Sequence, residues 1–419
     1  LKGIGAIEDR AGLIYSRLDM KRWTLCDHAA GVWVETLDLG PAELGLPDCR
    51  ITKRRLRGGL SDGVDLVQVT CGDLSVAILP TRGMGLWRGS YRGLQLGWQA
   101  PVHGPVHPAH VVTGERGGLG WLRGFDEWVV RCGLDNNGAP GPDTVLDNNG
   151  NPITVQLDLH GRIANTPAHY VAITADPAQE VLQVTGHVAE SALFHPLLEL
   201  QTTISVTPGS SRITVADTVI NRQATAAELE LLYHCNFGPP FLAEGSRVAV
   251  PYDAMAPRDP RACDGLGSDP DTASDRARTC LAPTDGYIEQ VYFFQPAALP
   301  GDGASLAALI APDNLSAAVV RFDRRELPCL TLWKNTAASG QGYVIGIEPA
   351  TDYPNTRSEE RAAGRVVSLE PGARYDAQIM LEVALGEEEV AGVAAEIGQI
   401  HDSAAGITHM RPHADFGAT

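Results

Sequence analysis

The sequence predicts an all-β protein, a large antiparallel β-sandwich with minor helices near its ends. Three observations predict it. Short alternating apolar runs recur in pairs across turn residues from Val64 to Val383. Glycine and proline are abundant, 45 and 28 of 419 residues, as a fold with many tight turns requires. The helices that would have to follow most strands of a doubly wound α/β sheet are missing.

The pairs come in order. Val64–Thr70 and Leu74–Leu79 flank Cys71-Gly72-Asp73, and Tyr170–Thr174 and Val181–Val188 flank Asp176-Pro177. Leu198–Val206 and Arg212–Ile220 flank Pro208-Gly209-Ser210-Ser211, and Leu306–Ile310 and Ala317–Phe322 flank Pro312-Asp313-Asn314. Val366–Leu369 and Tyr375–Val383 flank Pro371-Gly372 and read as a last hairpin. Loose helical spacing marks Ile4 to Met20, and Glu387 to Ile400 is the best helix candidate. The polar stretches 135–152 and 259–282 read as long surface loops. The organisation expected is an N-terminal extension (1–60) packed on a β-sandwich (61–386), then a C-terminal helix and tail (387–419).

Lys and Arg number 33 against 51 Asp and Glu, a formal net charge of −18. Such a surface repels phosphate backbones and anionic lipid headgroups, so neither nucleic acid nor a membrane is an expected partner. No run of 18 apolar residues is present. The opening Leu1-Lys2-Gly3-Ile4 carries no signal-peptide core. Eight cysteines are scattered without a Cys-x-x-Cys pair, several inside apolar strand patterns. They read as eight free, mostly buried thiols in a reducing compartment, and hence as a cytoplasmic protein. Nothing in the sequence decides between a monomer and a homo-oligomer.

Three segments could carry chemistry. Period-two alternation sets Gln156, Asp158, His160 and Arg162 on one face. It does the same for Glu228, Glu230, His234 and Asn236. Glu348 ends an otherwise apolar strand, where desolvation would raise its pKa. His160, His234 and Glu348 also compose a two-histidine, one-carboxylate metal set, which would suit an isomerase or lyase acting on an oxidised sugar. His103, His107 and His110 cluster as well, but the prolines flanking His107 preclude a helical ligand pair. Gly117-Gly-Leu-Gly120 lacks the third glycine and the long helix of a dinucleotide site, and no Gly-x-Ser-x-Gly elbow occurs.

Leu159-His160-Gly161-Arg162, Tyr233-His234-Cys235-Asn236-Phe237 and Gly346-Ile347-Glu348-Pro349 stand in the order seen in aldose 1-epimerases. From about Val64 to Val383 the chain resembles the galactose mutarotase-like superfamily. It is most similar to a little-characterised branch, through Leu79-Pro80-Thr81-Arg82-Gly83-Met84-Gly85, Leu96-Gly97-Trp98, Gly124-Phe125, Cys132-Gly133-Leu134 and Leu332-Trp333-Lys334. The resemblance implies a supersandwich fold, a small carbohydrate as partner and no cofactor or metal. It makes Glu348 the base and His234 the acid of anomer interconversion, with His160 and Arg162 holding the sugar. Arg82, Trp98, Trp121, Asp126, Asn236 and Lys334 are expected to line the same cleft. A sugar-binding protein without catalysis stays open as an alternative.

Overall fold

The computed structural model describes residues 20–194, 196–299, 301 and 303–417. Two large, mainly antiparallel sheets face each other across one core. A ten-stranded sheet has at its centre Ser316–Asp323, Arg374–Leu385, Ile213–Asn221, Leu197–Val206 and Val181–Ser191. A fourteen-stranded sheet has at its centre Cys329–Asn335, Val344–Ala350, Ala227–Phe237, Val129–Leu134 and Gly85–Tyr91. This is the predicted antiparallel sandwich.

Alternation explains which face each strand buries. In Val181–Ser191 the residues Leu182, Val184 and Val188 point into the core, while Gln183, Thr185 and His187 are half-buried on the outer face. Ala227–Phe237 behaves differently, because both of its faces are covered. Leu229, Leu231, Tyr233, Cys235 and Phe237 join the inter-sheet core. Glu230, Leu232, His234 and Asn236 project to the opposite face and are buried there too. Loops of the first half of the chain fold over that outer face, and the candidate site lies beneath them. Inside the sandwich Arg131 is paired with Asp217 and donates to Thr202 Oγ1 at 2.6 Å, while Tyr233 donates to Asp217 at 2.8 Å. The pair joins a strand of the larger sheet to one of the smaller across the core.

Four of the five expected hairpins form as read. The fifth does not. Val367–Leu369 pairs with Ala227–Leu229 of the larger sheet, whereas Arg374–Leu385 lies between Ile213–Asn221 and Ser316–Asp323 of the smaller one. The turn at Pro371-Gly372 is therefore a crossing between sheets, which local turn chemistry does not distinguish from a hairpin. The stretch 259–282 is not a plain loop but holds two helices, Pro260–Leu266 and Pro270–Arg278. Each begins with Asp-Pro. Asp259 and Asp269 accept hydrogen bonds from Ala262 N and Asp271 N, and proline follows at the first helical position, where it has no amide to lose. Within 135–152 the chain enters a hairpin of Gly141–Leu146 with Pro152–Leu157.

The C-terminal helix spans Glu387–His401 and buries Val390, Val393, Ile397 and Ile400. Lys21–Asp27 and Cys49–Arg55 are hydrogen-bonded into the smaller and the larger sheet respectively. The helical spacing of Ile4 to Met20 falls almost wholly outside the described residues. The expectation of eight free thiols is corrected: Cys49 and Cys71 sit opposite each other on paired strands, 4.1 Å apart at Cα, and are joined as a disulfide. The other six cysteines are free. Spacing along the chain is blind to such cross-strand neighbours. No helix among the described residues is long and apolar enough to cross a membrane.

Candidate active site

His234 and Glu348 come from neighbouring antiparallel strands. The register sets Cys235 opposite Ile347 and Leu232 opposite Ala350, which places His234 across from Glu348. Period-two alternation turns both side chains to the outer face. His234 Nε2 lies 3.2 Å from Glu348 Oε1, and both residues are almost wholly buried, 5% and 2% exposed. Between them, Gly346 leaves the necessary room: a Cβ there would lie 2.4 Å from Glu348 Oε1.

The hydrogen-bond chain behind the pair fixes its protons. Asn236 Nδ2 donates to the carbonyls of Glu127 and His234, at 3.0 and 3.1 Å. Its Oδ1 is thereby turned to His234 Nδ1, 2.7 Å away. An amide oxygen only accepts, so Nδ1 carries the hydrogen and Nε2 presents a bare lone pair to Glu348. Burial, reinforced by the nearby His160, pushes the His234 pKa well below its ordinary value. Burial, with Glu289 adding to it, pushes that of Glu348 well above the carboxylate range. Both displacements favour the uncharged forms, an acid beside a base.

Aromatic rings enclose the pair. Phe125, Trp333 and Trp121 have their centroids 4.9, 5.3 and 6.4 Å from the His234 ring. Trp98 packs on Phe125 at 5.0 Å and donates its Nε1 hydrogen to the Glu127 carbonyl. His160 stands on the far side, 5.7 Å from His234 and 4.6 Å from Trp121. Its Nδ1 is 2.7 Å from the Asn137 carbonyl and must donate to it, which leaves Nε2 as an acceptor. Burial lowers the His160 pKa to about 4, so the ring stays neutral. Trp121 is 1% exposed and its Nε1 hydrogen has no partner among the described residues. A buried donor left unpaired is one that a ligand would satisfy.

Of the residues picked from the sequence, His160, His234, Asn236, Glu348, Trp98 and Trp121 thus gather in one place. Four others do different work. Arg82 is buried, with Nε 2.5 Å from Glu127 and its terminal nitrogens donating to Val106 O, Asn165 Oδ1 and Gly124 O. It ties loops together behind the site. Asp126 accepts from Trp87 Nε1 and lies under Gly104, and burial beside Glu127 raises its pKa to about 7. Lys334 alternates with Trp333 and so points to the other face, where Nζ donates to the carbonyls of Arg276 and Ala277 at the end of a helix. Arg162 is exposed, its charge acting on Glu190. The strand that was to align it with His160 stops at Leu157, and His160 and Gly161 adopt positive φ of 59° and 67°. Alternation does not survive that turn.

Site residues absent from the sequence-derived set are Phe125, Trp333, Glu289 and Arg258. Trp333 Nε1 donates to Glu289 Oε2 at 2.6 Å, and Arg258 donates to Glu289 Oε1 at 3.2 Å. These charges form a partly exposed rim. They directly follow and precede strands of the larger sheet, a position no motif marks. No group of three or more His, Cys, Asp or Glu side chains among the described residues is arranged to hold a metal ion.

No functionally curated protein matches the chain. A crystal structure from Klebsiella pneumoniae, provisionally named an aldose 1-epimerase, is 32% identical over 93% of this chain and 98% of its own, with a TM-score of 0.85. A galactose mutarotase-like protein from Clostridium acetobutylicum shares the fold at 14% identity, over 81% of this chain and 99% of its own, with a TM-score of 0.53. A galactose 1-epimerase from Lactobacillus acidophilus does so at 13% identity over 80% and 99%, with a TM-score of 0.50. The family described as a domain of unknown function, DUF4432, matches residues 61–383. With that match over most of its length, and with the galactose mutarotase-like fold, the chain belongs to the DUF4432 family.

Proposed function

We propose that this protein is an aldose 1-epimerase-type isomerase that interconverts the anomers of a free sugar or sugar derivative. The observation that carries the reading is the 3.2 Å contact of His234 with Glu348 inside an aromatic enclosure, where burial favours the uncharged form of each. Ring opening of a hemiacetal needs one proton removed from the anomeric hydroxyl and one delivered to the ring oxygen. Those two oxygens share the anomeric carbon, so adjacent catalytic groups can serve both. In the resting protonation state His234 Nε2 takes the hydroxyl proton and Glu348 donates to the ring oxygen. The bond from anomeric carbon to ring oxygen breaks and the aldehyde forms. Ring closure on the other face of the carbonyl returns both protons. This exchanges the roles implied by the family resemblance for the opening step, and restores them for the closing step.

The rings of Trp98, Trp121, Phe125 and Trp333 offer the apolar faces on which sugar C–H patches stack. In this reading His160 Nε2 accepts from a sugar hydroxyl and Trp121 Nε1 donates to one. The test is anomer exchange followed by NMR saturation transfer across a panel of free aldoses and uronic acids. Acceleration over buffer by the purified protein supports the reading, and no acceleration for any of them, with sugar still bound, returns the protein to the class of binding modules.

A further inference from the structure

His160 is held almost entirely by the loop 133–138. Its amide donates to Gly138 O at 3.0 Å, its carbonyl accepts from Gly133 N at 3.1 Å, and its Nδ1 donates to Asn137 O at 2.7 Å. Gly161 beside it has no room for a side chain, since a Cβ would lie 2.2 Å from Asn136 O and 2.4 Å from Gly133 O. The residue is thus clamped at three points by one short segment, twice through its backbone and once through its ring.

That segment, the end of the strand Val129–Leu134 and the turn after it, is in turn suspended from carboxyl groups at three separate places in the chain. Glu190, from the smaller sheet, accepts from Leu134 N at 2.7 Å and Asp135 N at 3.3 Å. Glu230, four residues before His234 on the same strand, accepts from Asn137 N at 3.1 Å. Asp352, just beyond the strand that carries Glu348, accepts from Asn137 Nδ2 at 2.5 Å and from Thr351 Oγ1 at 3.1 Å. Glu230, Asp352 and Asn137 are at most 1% exposed, and Glu190 is 9% exposed. Three acidic side chains in a buried place, without the chemistry of the cleft, need a reason to be there.

We propose that Asp352, Glu230 and Glu190 are positioning residues for His160, acting through Asn137 and the loop 133–138 to set the orientation and tautomer of its ring. This rests on His160 being a sugar-binding group. The tautomer follows from which ring nitrogen has a fixed acceptor, and here that acceptor is one backbone carbonyl. If Asn137 loses its anchors, its carbonyl is free to turn away, and the hydrogen on Nδ1 is no longer fixed.

The experiment reads the two nitrogens of His160 by long-range ¹H–¹⁵N NMR in the full chain, beside sugar affinity. Wild type should show hydrogen on Nδ1 alone. Asp352→Leu and Asn137→Ala, which cut the same link from either end, should both give mixed tautomers and raise KM more than they lower kcat. Asp352→Asn keeps an oxygen toward Asn137 and should restore the wild-type tautomer. The proposal is overturned if either disruptive variant, folded by circular dichroism, leaves the His160 tautomer unchanged. It is equally overturned if Asp352→Asn disturbs the ring as much as Asp352→Leu. A tautomer change in a protein without anomer exchange would uphold the positioning role while removing the catalytic reading, so the two failures are distinguishable.

Discussion

His234 Nε2 and Glu348 Oε1 lie 3.2 Å apart on adjacent strands, with their pKa values displaced in opposite directions by the same burial. A pair in which the carboxyl holds the proton and the imidazole does not works as acid and base together, and loses function when either member changes state. The rate of anomer exchange should therefore be flat through neutral pH. It should fall at low pH, where His234 gains a proton, and at high pH, where Glu348 loses one. A measured pH–rate profile with both limbs checks this. A rate that instead rises monotonically with pH, as for a simple base, would remove the neutral-pair assignment.

Glu348→Gln keeps the shape of the side chain but has no carboxyl proton to give or regain. Acid–base catalysis of this kind contributes on the order of 10²–10⁴-fold, so exchange should drop by about that factor. Sugar affinity, measured by calorimetry, should stay within a few-fold. His234→Asn should behave alike. Were the rate to survive in Glu348→Gln, the carboxyl would be only a buried strand residue.

Arg82 and Lys334 should act on stability rather than on the sugar. Lys334 caps two helix-end carbonyls from a buried position, and its pKa is lowered to about 8 by that burial. Lys334→Met should cost roughly 1–3 kcal/mol of unfolding free energy. Arg82→Met leaves Glu127 buried without its partner and should cost about 3–5 kcal/mol. Denaturant midpoints measure both, and KM for the sugar should move little in whichever variant remains folded.

Thiol counting tests the cross-strand disulfide. Denatured without reductant, the oxidised protein should titrate six thiols: Cys26, Cys132, Cys235, Cys263, Cys280 and Cys329. Eight would mean that Cys49 and Cys71 are reduced in solution.

Much of this was legible in the sequence, and the failures have a common cause. Alternation found the face shared by Glu230, His234 and Asn236 because one straight strand carries all three. It failed for Arg162, which lies beyond a turn of positive φ, and it was not applied to Lys334, whose neighbour Trp333 faces the site instead. The texture of the sequence around Arg82 and Asp126 suggests cleft residues, yet buried charge also braces loops. Glu289 and Arg258 reach the rim by the meeting of two strand ends, and Cys49 meets Cys71 by strand pairing. Those are relations of register and topology, which local pattern does not encode.

Glu190 offers a test that needs no substrate. Burial raises its pKa from 4.5 to about 7, so the folded chain keeps a proton that the unfolded chain releases. Its contribution is fully present below pH 4.5 and is lost as pH rises through 7, by roughly 3 kcal/mol at most at 1.36 kcal/mol per unit. His160 works the other way: with its pKa lowered from 6.5 to about 4, it makes the fold more stable as pH rises across that range. The total pH dependence therefore mixes opposing contributions, and the informative quantity is the difference between wild type and Glu190→Gln. The glutamine oxygen can still accept from Leu134 N and Asp135 N but has no proton to lose. Near pH 5 the two proteins should be similarly stable, and by pH 8 the variant should be the more stable by up to that amount. Urea unfolding of both proteins at half-unit steps from pH 5 to 8 measures the difference directly. A constant gap across the series would mean that Glu190 is already ionised in the fold, held by its two amide donors rather than by its proton.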